Sequence, residues 1–253
     1  MYGWRGRIGL LVPSINTTME TEFWQIAPPG VSVHSARIAG GRHGTPEELR
    51  GMETASKHAA SEVAMVEPDV VVYGCTSGSF FEGPAWNKKI CEQLTEITKA
   101  PTVTTAGAMV ACLMAGGHKK VDVVTPYVDV TNERLKQFVK AHGIDVVKLG
   151  TFDMLDMFDH AKVLPEEIYA KVKQMTTSDS EAVFVACTQL RALEVLDMLE
   201  RDLGKPVYSA VQASAWQAYE AMGVDPKIMD CGSLLRRLSE PGAKKAPQLR
   251  RSA

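Results

Sequence analysis

The stretch DVVVYGCTSGSF, residues 69–80, decides how this chain is read. Val70 to Tyr73 form an apolar run without alternation, the pattern of a strand covered on both faces. The run ends in Gly74 and Cys75 and then a cluster of hydroxyls, so a buried strand delivers a thiol to a loop rich in hydrogen-bond donors. EAVFVACTQLRA, residues 181–192, repeats the arrangement, with Ala182 to Val185 leading to Cys187, Thr188 and Gln189. Ligands of parallel sheets gather at the carboxyl ends of strands, and both thiols stand at such ends.

Working outward, short apolar runs alternate with amphipathic segments along the whole chain. Strands are expected at 8–12, 31–35, 70–73, 102–105, 121–125, 145–149, 182–185 and 207–210. Helices are expected at 45–66, 84–98, 107–115, 132–141, 165–176, 190–203 and 213–222. Alternation at this spacing reads as βαβ units and parallel sheets. The order also repeats. IGLLVPSINTTMETEF at 8–23 matches VDVVTPYVDVTNERLKQF at 121–138, and the offset of Pro13 from Pro126 nearly equals that of Cys75 from Cys187. So long a period excludes a solenoid and predicts two similar α/β domains. The first is expected at 1–117 plus a returning segment, 211–238, and the second at 118–210. SEPGAKKAPQLRRSA, at 239–253, has no apolar periodicity and reads as a disordered tail.

The 253 residues are 45% hydrophobic and 23% charged, with a net charge of −2, ordinary values for a globular chain with no basic field for nucleic acid or anionic membrane. The first apolar run meets Pro13 too soon for a signal peptide, and no stretch approaches the roughly 20 apolar residues that span a bilayer. A cytoplasmic protein is expected. Five cysteines, odd in number and widely spaced without a CxxC, argue against a disulfide framework and a structural zinc site. No metal is expected.

Cys91, Cys112 and Cys231 read as small buried hydrophobes. Cys75 and Cys187 differ, because they hold equivalent places in two related halves. If the halves face one another, the thiols oppose each other across a cleft, and a carbon held between them can be attacked or deprotonated from one side and protonated from the other. Thr76, Ser77 and Ser79 supply hydroxyls and backbone N–H groups where the strand turns into a loop, a nest suited to carboxylates and oxyanions. Thr188 and Gln189 repeat the idea. Ser14, Asn16, Thr17 and Thr18 stand at a helix start, where they serve equally as caps. Tyr127 can aim a phenol into the cleft or lie on the surface, and Asn132 reads as a helix start. AGGRHG at 39–44 reads as a flexible loop, a candidate lid. Nucleotide-binding and zinc-protease motifs are absent.

Taken together, VPSINTTMETEF, VVYGCTSGS, TPYVDVTNERL and VFVACTQL, in this order and spacing, resemble the maleate cis-trans isomerase and arylmalonate decarboxylase branch of the aspartate/glutamate racemase superfamily. The likeness spans residues 7 to about 238. It implies two flavodoxin-like, three-layer α/β domains related by a pseudo-twofold axis, an active site in the cleft between them, and no organic cofactor or metal. It implies a small carboxylate or dicarboxylate substrate and makes a homo-oligomer, such as a dimer, an expectation. In maleate isomerases the cysteine at the position of Cys75 is the nucleophile, and the one at Cys187 is its acid/base partner. Asn16, Thr76, Ser77, Tyr127, Thr188 and Gln189 match positions that hold the carboxylates.

Having both thiols favours isomerase or racemase over decarboxylase, which keeps only the second. GCTSGSFFEGPAWN nevertheless looks closer to the decarboxylase loop. Two departures bear on the substrate: Ile15 replaces a serine of the first loop, and Met157 stands where isomerases commonly carry a substrate-touching asparagine. With Met154, Leu155 and Phe158, Met157 suggests a ligand less polar than maleate, and Ser14 is a further pocket candidate. Arylmalonate-type decarboxylation, two-cysteine racemisation and a carboxylate-binding sensor remain open beside isomerisation.

Overall fold

The computed structural model describes residues 2–236, so the tail expected at 239–253 lies outside the described residues. The first half carries β1 (Gly6–Pro13), α1 (Met19–Gln25), β2 (Val31–Ile38), α2 (Pro46–Ala64), β3 (Val70–Tyr73), α3 (Thr76–Phe80), α4 (Pro84–Thr98), β4 (Thr102–Thr104) and α5 (Thr105–Ala115). The second carries β5 (Lys120–Thr125), α6 (Asp129–Ala141), β6 (Asp145–Thr151), α7 (Pro165–Met175), β7 (Ala182–Val185), α8 (Leu196–Leu203), β8 (Val207–Ser209) and α9 (Ala210–Met222).

The strands form two four-stranded parallel sheets in the orders β2-β1-β3-β4 and β6-β5-β7-β8. The two orders are the same permutation, which is the structural form of the repeat in the sequence. In each sheet the cysteine-bearing strand lies beside the first strand of its half: Leu11 pairs with Tyr73, and Val124 with Val185. These strands read as unbroken apolar runs because helices cover both faces. Val70, Val71, Val72, Ala182, Val183, Phe184 and Val185 are all inaccessible to solvent, and each large side chain so buried contributes about 1.5–3 kcal/mol of hydrophobic stabilisation.

Helices α2 and α4 pack on one another and against the first sheet, and α7 packs against the second and on α8. A capping box fixes the start of α2, where Thr45 accepts from Glu48 N–H and Glu48 reaches back to Thr45 N–H. Helix α9 is apolar nearly all round. It packs along α5 and also touches β3 and β4 of the first sheet and β8 of the second, so it joins the two halves from behind.

The expected elements match these closely, with three informative differences. CTSGSF forms the short helix α3 rather than a plain loop. Helix α6 begins at Asp129, before the expected start at Asn132. The helix expected at 190–203 is broken: residues Leu193–Val195 make a 3-10 turn and α8 starts only at Leu196. Residues 188–190 are pulled away to bind the first half instead, as described next.

Candidate active site

Gly74 is what lets β3 present Cys75. Its N–H donates to Leu11 carbonyl oxygen at 2.8 Å, and a Cβ at position 74 would meet that same oxygen at 2.8 Å, so only glycine permits the approach. Cys75 then caps α3: Gly78 N–H donates to its Sγ at 3.3 Å, and Ser77 Oγ lies 3.7 Å away. The turn is held from behind by Ser79, which donates to the Cys75 and Thr76 carbonyls, and by Trp86 Nε1, which donates to Gly78 carbonyl. Ser79 therefore belongs to the scaffold of the turn. The Cys75 thiol is 3% exposed. Burial pushes its pKa up, and the Gly78 N–H and Ser77 hydroxyl pull it back towards the thiolate.

Cys187 ends β7 in the same way. Gln189 N–H donates to its Sγ at 3.4 Å. Burial pushes its pKa up to about 12, Gln189 N–H and the Tyr127 phenol act against that rise, and the neighbouring Cys75 adds to it. Cys187 thus responds to the charge of Cys75. Cys187 also has a φ of 156°, a value L residues rarely adopt, set where the chain leaves the strand to cross towards the first half.

That crossing is a clasp of hydrogen bonds. Asn16 Nδ2 donates to Thr188 Oγ1 at 3.0 Å, and Thr188 Oγ1 donates to Gly74 carbonyl at 3.0 Å. Gln189 Oε1 accepts from Thr17 N–H at 2.9 Å, its Nε2 donates to Ile15 carbonyl, and its own carbonyl accepts from the Thr18 hydroxyl. Asn16 Oδ1 meanwhile caps α1 by accepting from Thr18 and Met19 N–H groups. Asn16, Thr188 and Gln189 therefore line the cleft and bind its two walls together.

A cleft of about 320 Å³ is lined by Pro13, Ile15, Asn16, Cys75, Thr76, Ser77, Tyr127, Met157, His160, Cys187, Thr188 and Gln189. Of the residues singled out in the sequence, both thiols and Asn16, Thr76, Ser77, Tyr127, Met157, Thr188 and Gln189 meet here. Ser14 does not: it is exposed, and its hydroxyl donates to Ile38 carbonyl at the end of β2. Tyr127 is held by Asn132, which donates to Tyr127 carbonyl and accepts from the Thr125 hydroxyl. Burial raises its phenol well above the usual range, so it stays protonated beside Cys187 and Thr76. Thr76 Oγ1 is buried with no hydrogen-bond partner, a donor available to a ligand.

His160 is the cleft residue that the sequence reading passed over. It is 2% exposed, edge-on to the Tyr127 ring, with Nδ1 3.7 Å from Cys187 Sγ and Nε2 3.2 Å from Met154 carbonyl. Its signal in the sequence was a lone histidine inside DMFDHAKV, and the partner thiol lies 27 residues further on. A second hollow of about 290 Å³ adjoins the first and shares Ser77, Tyr127, Met157 and His160 with it, adding Val128, Met154, Leu155 and His43. Over its mouth the 39–44 loop is tied down: Met157 N–H donates to Arg42 carbonyl at 2.7 Å, and the Arg42 guanidinium grips both oxygens of Asp156 at 3.1 and 2.7 Å. That pairing holds the Asp156 carboxyl below its ordinary range.

The arrangement can hold an anion on hydroxyl, amide and backbone donors while two thiols approach the bound carbon. Comparison with known proteins agrees with that chemistry. A maleate isomerase of Alcaligenes faecalis is 29% identical over 243 residues, covering 90% of this chain and 96% of that one. The crystal structure of a Pseudomonas putida maleate isomerase with maleate superposes with a TM-score of 0.87 at 30% identity, covering 92% of this chain and 98% of that one. A Nocardia farcinica maleate cis-trans isomerase, a cysteine-to-serine mutant with a covalently bound succinylcysteine intermediate, gives 0.86 at 27%, covering 91% and 98%. The family model described as arylmalonate decarboxylase matches residues 8–235. With nearly all of its described residues inside that match, the chain belongs to the arylmalonate decarboxylase family, in the branch it shares with the maleate isomerases.

Proposed function

We propose that the protein is a cofactor-independent cis–trans isomerase of maleate or a related, less polar unsaturated acid, working through a covalent adduct on Cys75. The observation that carries this reading is that both strand-end thiols open into one cleft beside the unpaired Thr76 hydroxyl. Decarboxylation needs a single proton donor, whereas addition to an alkene needs a nucleophile and a separate acid/base group. The succinylcysteine held by the Nocardia farcinica relative supports a covalent step.

In this scheme the Cys75 thiolate adds to one alkene carbon, forming a C–S bond. The π pair moves towards the adjacent carboxylate, whose oxygens rest on the Thr76, Ser77 and Tyr127 donors. Cys187 gives its proton to the second carbon, so that the former double bond is single and rotates. Cys187 takes the proton back, the pair re-forms the alkene, and Cys75 leaves as thiolate. Atoms and charge are restored at the end of the cycle.

Met157, together with Met154, Leu155 and Val128 in the adjoining hollow, supports an apolar substituent on the substrate. The test of the covalent step is intact-protein mass spectrometry of Cys187→Ser incubated with maleate and with alkyl-substituted maleates. The expected result is a mass gain of one ligand mapped to Cys75. No adduct with any of these acids, in a protein that unfolds normally, would sink the scheme.

A further inference from the structure

We propose that His160 is the proton partner of Cys187, a positioning residue that takes the thiol proton on Nδ1 and returns it, so that Cys187 can work as acid and as base within one turnover. The inference rests on the acid/base reading of Cys187 above.

Geometry fixes the tautomer. The Met154 carbonyl can only accept, so the Nε2 that faces it at 3.2 Å carries the imidazole proton. The lone pair of Nδ1 then points at Cys187 Sγ, 3.7 Å away. Burial holds the imidazole below its ordinary pKa and the thiol above, so the resting pair is neutral. A lone Cys187 thiolate in this buried site would be costly, and of the residues that line the cleft, His160 is the one whose side chain can carry a positive charge. In the proposed step the Cys187 S–H bond breaks, the electron pair stays on sulfur, and an Nδ1–H bond forms. The result is a thiolate–imidazolium pair, and the reverse transfer restores the thiol.

The groups that face the imidazole agree with this. Tyr127 meets it edge-on and stays protonated. Asp156 and Asp159 favour its cationic form through space, but each is already engaged, Asp156 by Arg42 and Asp159 by Lys162. Cys75 lines the same cleft, and His43 lines the adjoining hollow.

The experiment follows iodoacetamide labelling of Cys187 across pH by peptide mapping, in the full chain and in His160→Gln, with no substrate present. It therefore stands or falls separately from the isomerase reading. In the parent the rate should level off once the imidazole is neutral. In His160→Gln it should be about tenfold lower near neutral pH and climb steadily with thiol ionisation. Identical rates and profiles in a folded variant would overturn the proposal. If His160→Gln does not fold, nitrogen NMR of the imidazole replaces it. Cys187→Ser should shift the His160 Nδ1 resonance and its titration, and an unchanged signal would equally overturn it.

Discussion

At the scale of the residue, Thr76 separates binding from stability. Its hydroxyl is buried and unpaired, which costs the folded protein and serves it only when a ligand accepts the bond. Thr76→Val should raise KM for the preferred acid about tenfold, with Tm unchanged or higher. Equal KM in steady-state assays would remove Thr76 from the anion site. The identity of this residue was legible in the sequence because CTSGS puts hydroxyls next to a strand-end thiol. His160 was not, because its meaning depends on Cys187 coming within 3.7 Å from another strand. Ser14 misled for the converse reason: its place in the first loop is right, but Ile38 carbonyl claims its hydroxyl.

At the scale of the element, the connection after β7 does the most. Gln189 spends both ends of its amide on backbone of the β1–α1 loop, and residues 188–190 stay out of the following helix in consequence. Gln189→Ala should cost about 1–3 kcal/mol of unfolding free energy by denaturant titration, since it leaves Thr17 N–H and Ile15 carbonyl without partners. A cost near zero would mean that water or the backbone replaces the clasp. Periodicity in the sequence extended this helix back to Leu190, because a hydrophobic pattern cannot show that a polar side chain holds the chain elsewhere. It missed α3 for a related reason. Gly78 and Ser79 are poor helix formers, and the turn exists because Cys75, Ser79 and Trp86 bind its backbone. Strands β3 and β7 were legible to the residue, as apolar runs bounded by Pro68 or Ser180 before and by cysteine after.

At the scale of the whole molecule, the two halves carry a pH-sensitive contact. Glu22 of α1 is buried near Leu193 of the second half, with Oε2 unpaired, and burial raises its pKa from 4.5 to about 8. Between those values the folded state holds a proton that the unfolded state has lost, so stability falls as pH rises through this window. Glu22→Gln should therefore raise Tm by about 5 °C or more near pH 9 and by far less near pH 5. A Tm gain independent of pH would show that the carboxyl does not ionise there. The doubling of the fold was legible from the offsets of Pro13, Pro126, Cys75 and Cys187; a buried acid between halves was not, because Glu22 reads as one more polar position in METEFWQ. The central claim, two thiols cooperating across the cleft, is tested most directly by proton NMR of the protein with maleate and alkyl-substituted maleates in deuterium oxide, alongside Cys75→Ser. The account predicts trans product with no loss of carbon dioxide, abolished in Cys75→Ser. Decarboxylated, deuterated product from an added arylmalonate, persisting in Cys75→Ser, would contradict it and leave Cys187 acting alone.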